Sequence, residues 1–132
     1  MTLDEMNAHL DLLKNLAAAR EALEALQAAT LSSSRFDSLP RIQCPVDRTA
    51  DLGIKIAEQR ETVSRWERLV EGSSATVNAW INSVQDNRLN VILYLRFICG
   101  YEWQQVADLI GGKNTEAAVK SLVYRFFRSQ AL

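Results

Sequence analysis

The stretch RLNVILYLRFICGYEWQQVADLIGGKNTEAAVKSLVYRFFR, Arg88 to Arg128, decides the fold class. It opens on an apolar run, Arg88 to Cys99, in which Leu89, Ile92, Leu93, Leu95 and Phe97 face more than one side of a helix, the pattern of a central packing helix. Gly100 closes that helix, because glycine readily takes the left-handed conformation required there. Trp103, Val106, Ala107 and Ile110 then recur at three-and-four spacing and give a short helix with one apolar face. Gly111-Gly112 makes a sharp turn, Asn114 or Thr115 caps the next helix, and Glu116 lies in its first turn, where negative charge is favoured. Ala118, Val119, Leu122, Val123 and Phe126 are expected to form the buried face of this last helix. Two short helices about a glycine turn, the second opening polar and closing basic, are the parts of a helix-turn-helix, whose second helix enters the DNA major groove.

Upstream, Leu52, Ile56, Val63, Trp66 and Val70 recur at heptad spacing with Gln59 as the polar member, and the register continues through Ser73, Val77, Trp80 and Val84. The seam stays in phase across Gly72-Ser73-Ser74, so one long helix is expected rather than two. Earlier still, Leu3 to Leu31 contains neither Gly nor Pro and carries two apolar rows. One follows Leu3, Met6, Leu10, Leu13 and Ala17; the other follows Leu12, Leu16, Ala19, Leu23 and Leu26. Thr2 followed by Glu5 is a capping box at its start. Between the two helices, Leu31 to Val46 holds three consecutive serines and two prolines and reads as a connecting loop. Arg35, Arg41 and Arg48 offer charge to a phosphate there, although a solvated linker is the preferred reading.

The expected architecture is therefore all-α. An amphipathic helix spans 1–31, a linker loop 32–46 and a coiled-coil-like helix 47–85, with a trihelical helix-turn-helix head over 86–132. The long helices form a hairpin or stalk, with Gln59 as a buried polar position that fixes register. So much apolar stripe favours a homodimer or higher oligomer; the alternative is a monomeric helical core.

Composition excludes several classes. At 132 residues the chain fits one domain, or a small head on a helical stalk, and 48% hydrophobic residues argue against disorder. Apolar runs such as Val91 to Leu95 fall far short of the roughly 20 residues that a membrane helix needs. The acidic start MTLDEMNAHL lacks the features of a signal peptide, so a cytoplasmic protein is expected. His9 is the only histidine, which excludes His-based triads and multi-histidine metal sites, and its place among leucines marks it as structural. Cys44 and Cys99 have no partner at metal-ligand spacing and read as free thiols, with Cys99 packed as a small hydrophobe. With no phosphate loop and no convincing carboxylate pair, neither an enzyme nor a cofactor or metal is expected.

Charge is segregated rather than large. The net charge is −1; Met1 to Gly72 holds 9 Lys+Arg against 12 Asp+Glu, and Ser73 to Leu132 holds 6 against 4. From Lys113 onward, Lys113, Lys120, Arg125 and Arg128 face Glu116 alone. That local excess is modest for a DNA binder, which gives pairing of two heads a purpose.

Arg88, Arg96-Phe97, Gly100-Tyr101, Trp103, Val106-Ala107 and Ile110-Gly111, followed by Val119-Lys120-Ser121, resemble region four of bacterial sigma factors, the part that reads the −35 promoter element. As a whole the chain is similar to short phage- and prophage-encoded regulators of the ArpU and RinA type, which also run from a helical segment through a loop and a long helix into a helix-turn-helix. The resemblance covers Asp47 to Arg128 and reaches the first helix only in type. It implies a transcription regulator in a bacterial host, with host RNA polymerase as a further partner. The turn GGKNTEA is longer than in the sigma-factor pattern, so sigma-factor base contacts do not carry over.

On the expected outer face of the last helix lie Glu116, Ala117, Lys120, Ser121, Tyr124, Arg125 and Arg128. Asn114, Thr115, Glu116, Ala117 and Lys120 are the candidates for base edges. Lys113, Ser121, Arg125 and Arg128 suit phosphate, Gln104 on the preceding helix adds a backbone contact, and Tyr124 can reach either. Arg125 and Arg128 also complement the helix dipole. The leading expectation is a regulator of double-stranded DNA. The alternatives are a module that docks on RNA polymerase with little DNA binding of its own, and a packaging protein of the phage small-terminase type.

Overall fold

The computed structural model describes residues 1–35 and 48–130, and among them every regular element is helical, with no strand. Helix α1 spans Leu3–Arg35 and α2 spans Arg48–Asn82. Helix α3, Asn87–Leu93, continues as a π-helical turn, Tyr94–Ile98. Helices α4, Trp103–Ile110, and α5, Glu116–Gln130, complete the chain. None of these helices is long and apolar enough to cross a membrane. Cys44, Arg41 and the loop at 36–47 lie outside the described residues, as do the side chains of Arg35 and Arg48.

Helix α1 begins at the expected capping box: the Thr2 N–H donates to Glu5 Oε2 at 3.0 Å and the Glu5 N–H to Thr2 Oγ1 at 3.2 Å. It passes Leu31 and ends at Arg35. Serine costs a helix less than about 0.7 kcal/mol, too little for three in a row to stop a helix already propagating. Helix α2 likewise runs through Gly72, where a Cβ would meet nothing within 4 Å.

The chain forms two compact units: Met1–Leu13 with Val70–Leu132, and Lys14–Leu69. In the second, Leu16, Ala19 and Val63 are buried, with Leu23, Leu26, Leu52, Ile56 and Trp66 half-buried around them. Gln59 donates through Nε2 to the Ala19 carbonyl at 3.0 Å, so the polar member of the seam is satisfied by the α1 backbone at a small residue. Arg20 and Glu67 add an exposed ion pair at 3.4 Å.

In the first unit, Met6 and Leu10 from α1 join Val77 and Ile81 from α2 and the buried residues of α3 to α5 in one core. Helix α1 is thus divided along its length rather than by row, since Leu12 of the second row falls in the first unit and Ala17 of the first row in the second. Leu3, Met6, Leu10 and Leu13 belong to the first unit, and Leu16, Ala19, Leu23 and Leu26 to the second. Ala17, expected to extend the first row, is exposed.

His9 is structural, as its surroundings in sequence suggest. It is 1% exposed, and its Nδ1 lies 2.7 Å from Ser73 Oγ, while Nε2 has no partner at hydrogen-bond distance. Burial holds its pKa below the ordinary 6.5, with the Phe97 backbone opposing the shift in part. The unfolded chain therefore takes up a proton at a higher pH than the folded one does. The stability contributed is complete above about pH 6.5 and is lost as pH falls towards the folded value. Thermal melts are expected to show the protein losing more stability than a His9→Gln variant between about pH 7.5 and about pH 5. Parallel pH profiles for the two would contradict a role for His9 in that loss.

The run from Arg88 to Cys99 is not the single regular helix expected. Its second half is wound with five-residue hydrogen bonding, the Cys99 N–H donating to the Tyr94 carbonyl at 3.1 Å. A π turn takes up one extra residue and rotates everything after it. Phe97, four residues after Leu93, keeps to the core, whereas Cys99 is exposed rather than packed as a small hydrophobe. Gly100 closes the turn as expected, at φ 76°, with the Tyr101 N–H donating to the Leu95 carbonyl at 3.2 Å.

Candidate functional site

Local chemistry defines both ends of α4 and the start of α5. At the α4 N-terminus the Glu102 N–H donates to Gln105 Oε1 at 2.9 Å. At its C-terminus Gly111 and Gly112 take φ of 74° and 70°, and the Gly111 N–H closes the helix on the Ala107 carbonyl at 3.2 Å. Thr115 then caps α5, its Oγ1 accepting from the Ala118 N–H at 3.1 Å.

Asn114, between the glycines and the cap, ties the turn together. Its Nδ2 donates to the Gly111 carbonyl at 2.8 Å, and its Oδ1 accepts from Arg88 Nη2 at the start of α3. Sequence reading missed the role of Arg88, because its partner lies 26 residues away and no local pattern joins them.

Two aromatic groups hold α5 in place. Near its middle, Tyr124 meets Trp103 edge to face at 6.3 Å between centroids, and Phe97 meets the same ring at 6.4 Å. Arg96 lies over Trp103, its Cζ 4.8 Å from the ring centroid, and donates through Nη1 to the Tyr101 carbonyl at 2.9 Å. At the C-terminal end, Phe127 stacks on Trp80 of α2 at 5.5 Å, with Phe126 tilted against the same indole at 6.0 Å.

The face that α5 buries is rotated from the expected one. Val119, Val123 and Phe127 are buried, Leu122 and Phe126 are half-buried, and Ala118 is exposed rather than inward-facing. Packing on Trp80 draws Phe127 inward, and a single small Ala118 cannot compete for the interior with a ring of that size. Of the candidate residues, Gln104, Lys113, Thr115, Glu116, Ala117, Ser121, Tyr124, Arg125 and Arg128 are exposed, while Asn114 and Lys120 are half-buried.

Several of these side chains are already engaged. The Asn114 amide is bonded at both ends, and Gln104 Nε2 donates to Asp108 Oδ1 at 3.1 Å. Thr115 Oγ1 serves the cap. What remains open is a surface of Glu116, Ala117, Ser121, Arg125 and Arg128, with the half-buried Lys120 one turn after Glu116 and Lys113 in the turn before the helix. Its charge is net positive and its groups are hydrogen-bond donors and acceptors of mixed type, which suits a polyanion better than an apolar partner. Among the described residues no three of His, Cys, Asp or Glu are grouped to hold a metal ion.

Comparisons with protein families, curated proteins and solved structures return no match for this chain.

Proposed function

We propose that the protein is a transcription regulator of the phage type, similar to the ArpU and RinA regulators, which binds double-stranded DNA through α4 and α5 used as a helix-turn-helix. The observation that carries the reading is the join between these helices. A glycine turn tied by Asn114 leads into a Thr115-capped helix whose inner face is anchored while its polar N-terminal half stays open. Glu116, Ala117 and Lys120 are the groups for base edges, and Lys113, Ser121, Arg125 and Arg128 those for phosphate. Asn114 and Thr115 support the interface by shaping the turn. Pairing of two such heads in a homodimer supplies the affinity that so modest a charge lacks.

Lys120→Ala is expected to weaken binding to a selected DNA site by roughly 1 to 3 kcal/mol. Unchanged affinity in a titration at fixed salt would remove Lys120 from the interface. The reading as a whole is tested by selecting bound fragments from a random duplex pool: enrichment of a palindromic site supports a dimeric regulator, and no enrichment contradicts it.

A second reading, docking on RNA polymerase with little intrinsic DNA binding, draws on apolar side chains left open near the same helices. Leu109 of α4 is 59% exposed and Val91 of α3 is 51% exposed. Co-purification with polymerase but no duplex binding would favour it. The small-terminase alternative has no comparable observation in its favour.

A further inference from the structure

On α2, within the unit Lys14–Leu69, three arginines share one exposed face with a single carboxylate, Glu61, among them. Arg60, Ser64 and Arg68 follow one another at four-residue spacing, and Arg65 lies beside them. Together with Glu61 they line an open concavity of about 490 Å³. Of the neighbouring acids, Glu67 pairs with Arg20 at 3.4 Å and Glu58 with Lys55 at 4.0 Å, while Glu71, three residues after Arg68, is exposed and within ion-pair distance of none of the three arginines among the described residues. Glu61, four residues before Arg65, is not within ion-pair distance of it among the described residues.

Arg65 and Arg68 are therefore like charges one helical turn apart, an arrangement that destabilises a helix when no anion intervenes. Their existing bonds are to neutral oxygens, Arg65 Nη2 to Thr62 Oγ1 at 3.3 Å and Arg68 Nε to the Ser64 carbonyl at 3.5 Å. Each of these bonds leaves further guanidinium donors facing solvent. Apolar stem packing does not account for the cluster, because all three arginines are exposed and the buried seam of α2 runs through Val63 and Trp66.

We infer that this arginine face is a second phosphate-binding surface, and that its ligand is the backbone of duplex DNA. The inference rests on the duplex-binding reading above. Guanidinium groups offer paired donors matched to phosphate oxygens, and Arg60 to Arg68 spans about 12 Å along the helix axis. Successive phosphates of one strand turn around the duplex as they rise about 3.4 Å each, so that reach covers about two to three of them. Contacts of this kind add affinity and no sequence preference. They supply positive charge that the head lacks.

The test uses the full chain and a random-sequence DNA duplex, with binding measured across a salt series. Replacing Arg60, Arg65 and Arg68 together by alanine is expected to reduce the slope of log K against log salt by roughly 2 to 3, at about 0.9 for each phosphate no longer neutralised. The corresponding triple lysine variant should keep most of the slope, because it keeps the charge. All three side chains are exposed, so both variants should keep the helical signal and neither should melt below the wild type. If the wild type binds and the alanine variant shows the same slope, the arginine surface is overturned and the regulator reading stands. Equal loss in the lysine variant overturns it as well, and a wild type that binds no duplex overturns both.

Discussion

Phe97→Ala is expected to lower the free energy of unfolding by about 3 to 5 kcal/mol, a large share of the stability of a domain this size. Phe97 is fully buried and sits edge-on to Trp103, the ring that also carries Arg96 on its face and Tyr124 at its edge. Removing it empties the space between the π turn and α4, where Ile92, Leu93 and Val106 are also fully buried and leave little freedom to collapse. Urea unfolding followed by tryptophan fluorescence measures the loss. A change below about 1 kcal/mol would mean that Phe97 is not held in a closely packed core.

Met6→Asp should be comparably severe, and it separates two ideas of how the chain is divided. Met6 is fully buried in the same core as Leu89, Val106 and Val123, although more than 80 residues separate it from them. Truncating a buried methionine costs about 2 to 5 kcal/mol, and an unpaired carboxylate in its place adds the penalty of burying a charge. The unit formed by Met1–Leu13 and Val70–Leu132 should lose its cooperative transition, read from near-ultraviolet signals of Trp80 and Trp103. Ala17→Asp, on the exposed side of the same helix, is the control and should stay within about 0.5 kcal/mol of the wild type. Were residues 86–132 able to fold by themselves, the Met6 variant would leave the Trp103 signal intact.

Much of the framework was legible because it depends on local regularities. The heptad seam from Leu52 to Trp80 marks the buried side of α2 on both sides of Gly72, since a repeat that stays in phase shows which residues share a face; Val84, expected to extend it, lies past the end of the helix at Asn82. The Thr2–Glu5 box, the Gly100 stop and the Gly111-Gly112 turn follow from backbone chemistry within a few residues. Of the candidate site, the exposure of Glu116, Ala117, Ser121, Arg125 and Arg128 was readable in the same way. The face of α5 was harder to fix. Neighbouring helical positions differ by about 100°, and periodicity alone does not choose between Ala118 and Phe127 for the interior.

What the sequence by itself determined is the all-helical class, the long helices with their buried stripes, and the glycines that end α3 and α4, with the cap of α5 narrowed to Asn114 or Thr115. Only the tertiary structure decided that the start of α1 completes the core of α3 to α5, that a π turn leaves Cys99 outward while Phe97 stays in the core, and that Arg88 reaches Asn114. The physical reason is range. Caps, turns and amphipathic periods are set by residues within one or two helical turns, whereas the choice of packing partner is a competition among side chains distant in the chain, settled by shape and volume when the core closes.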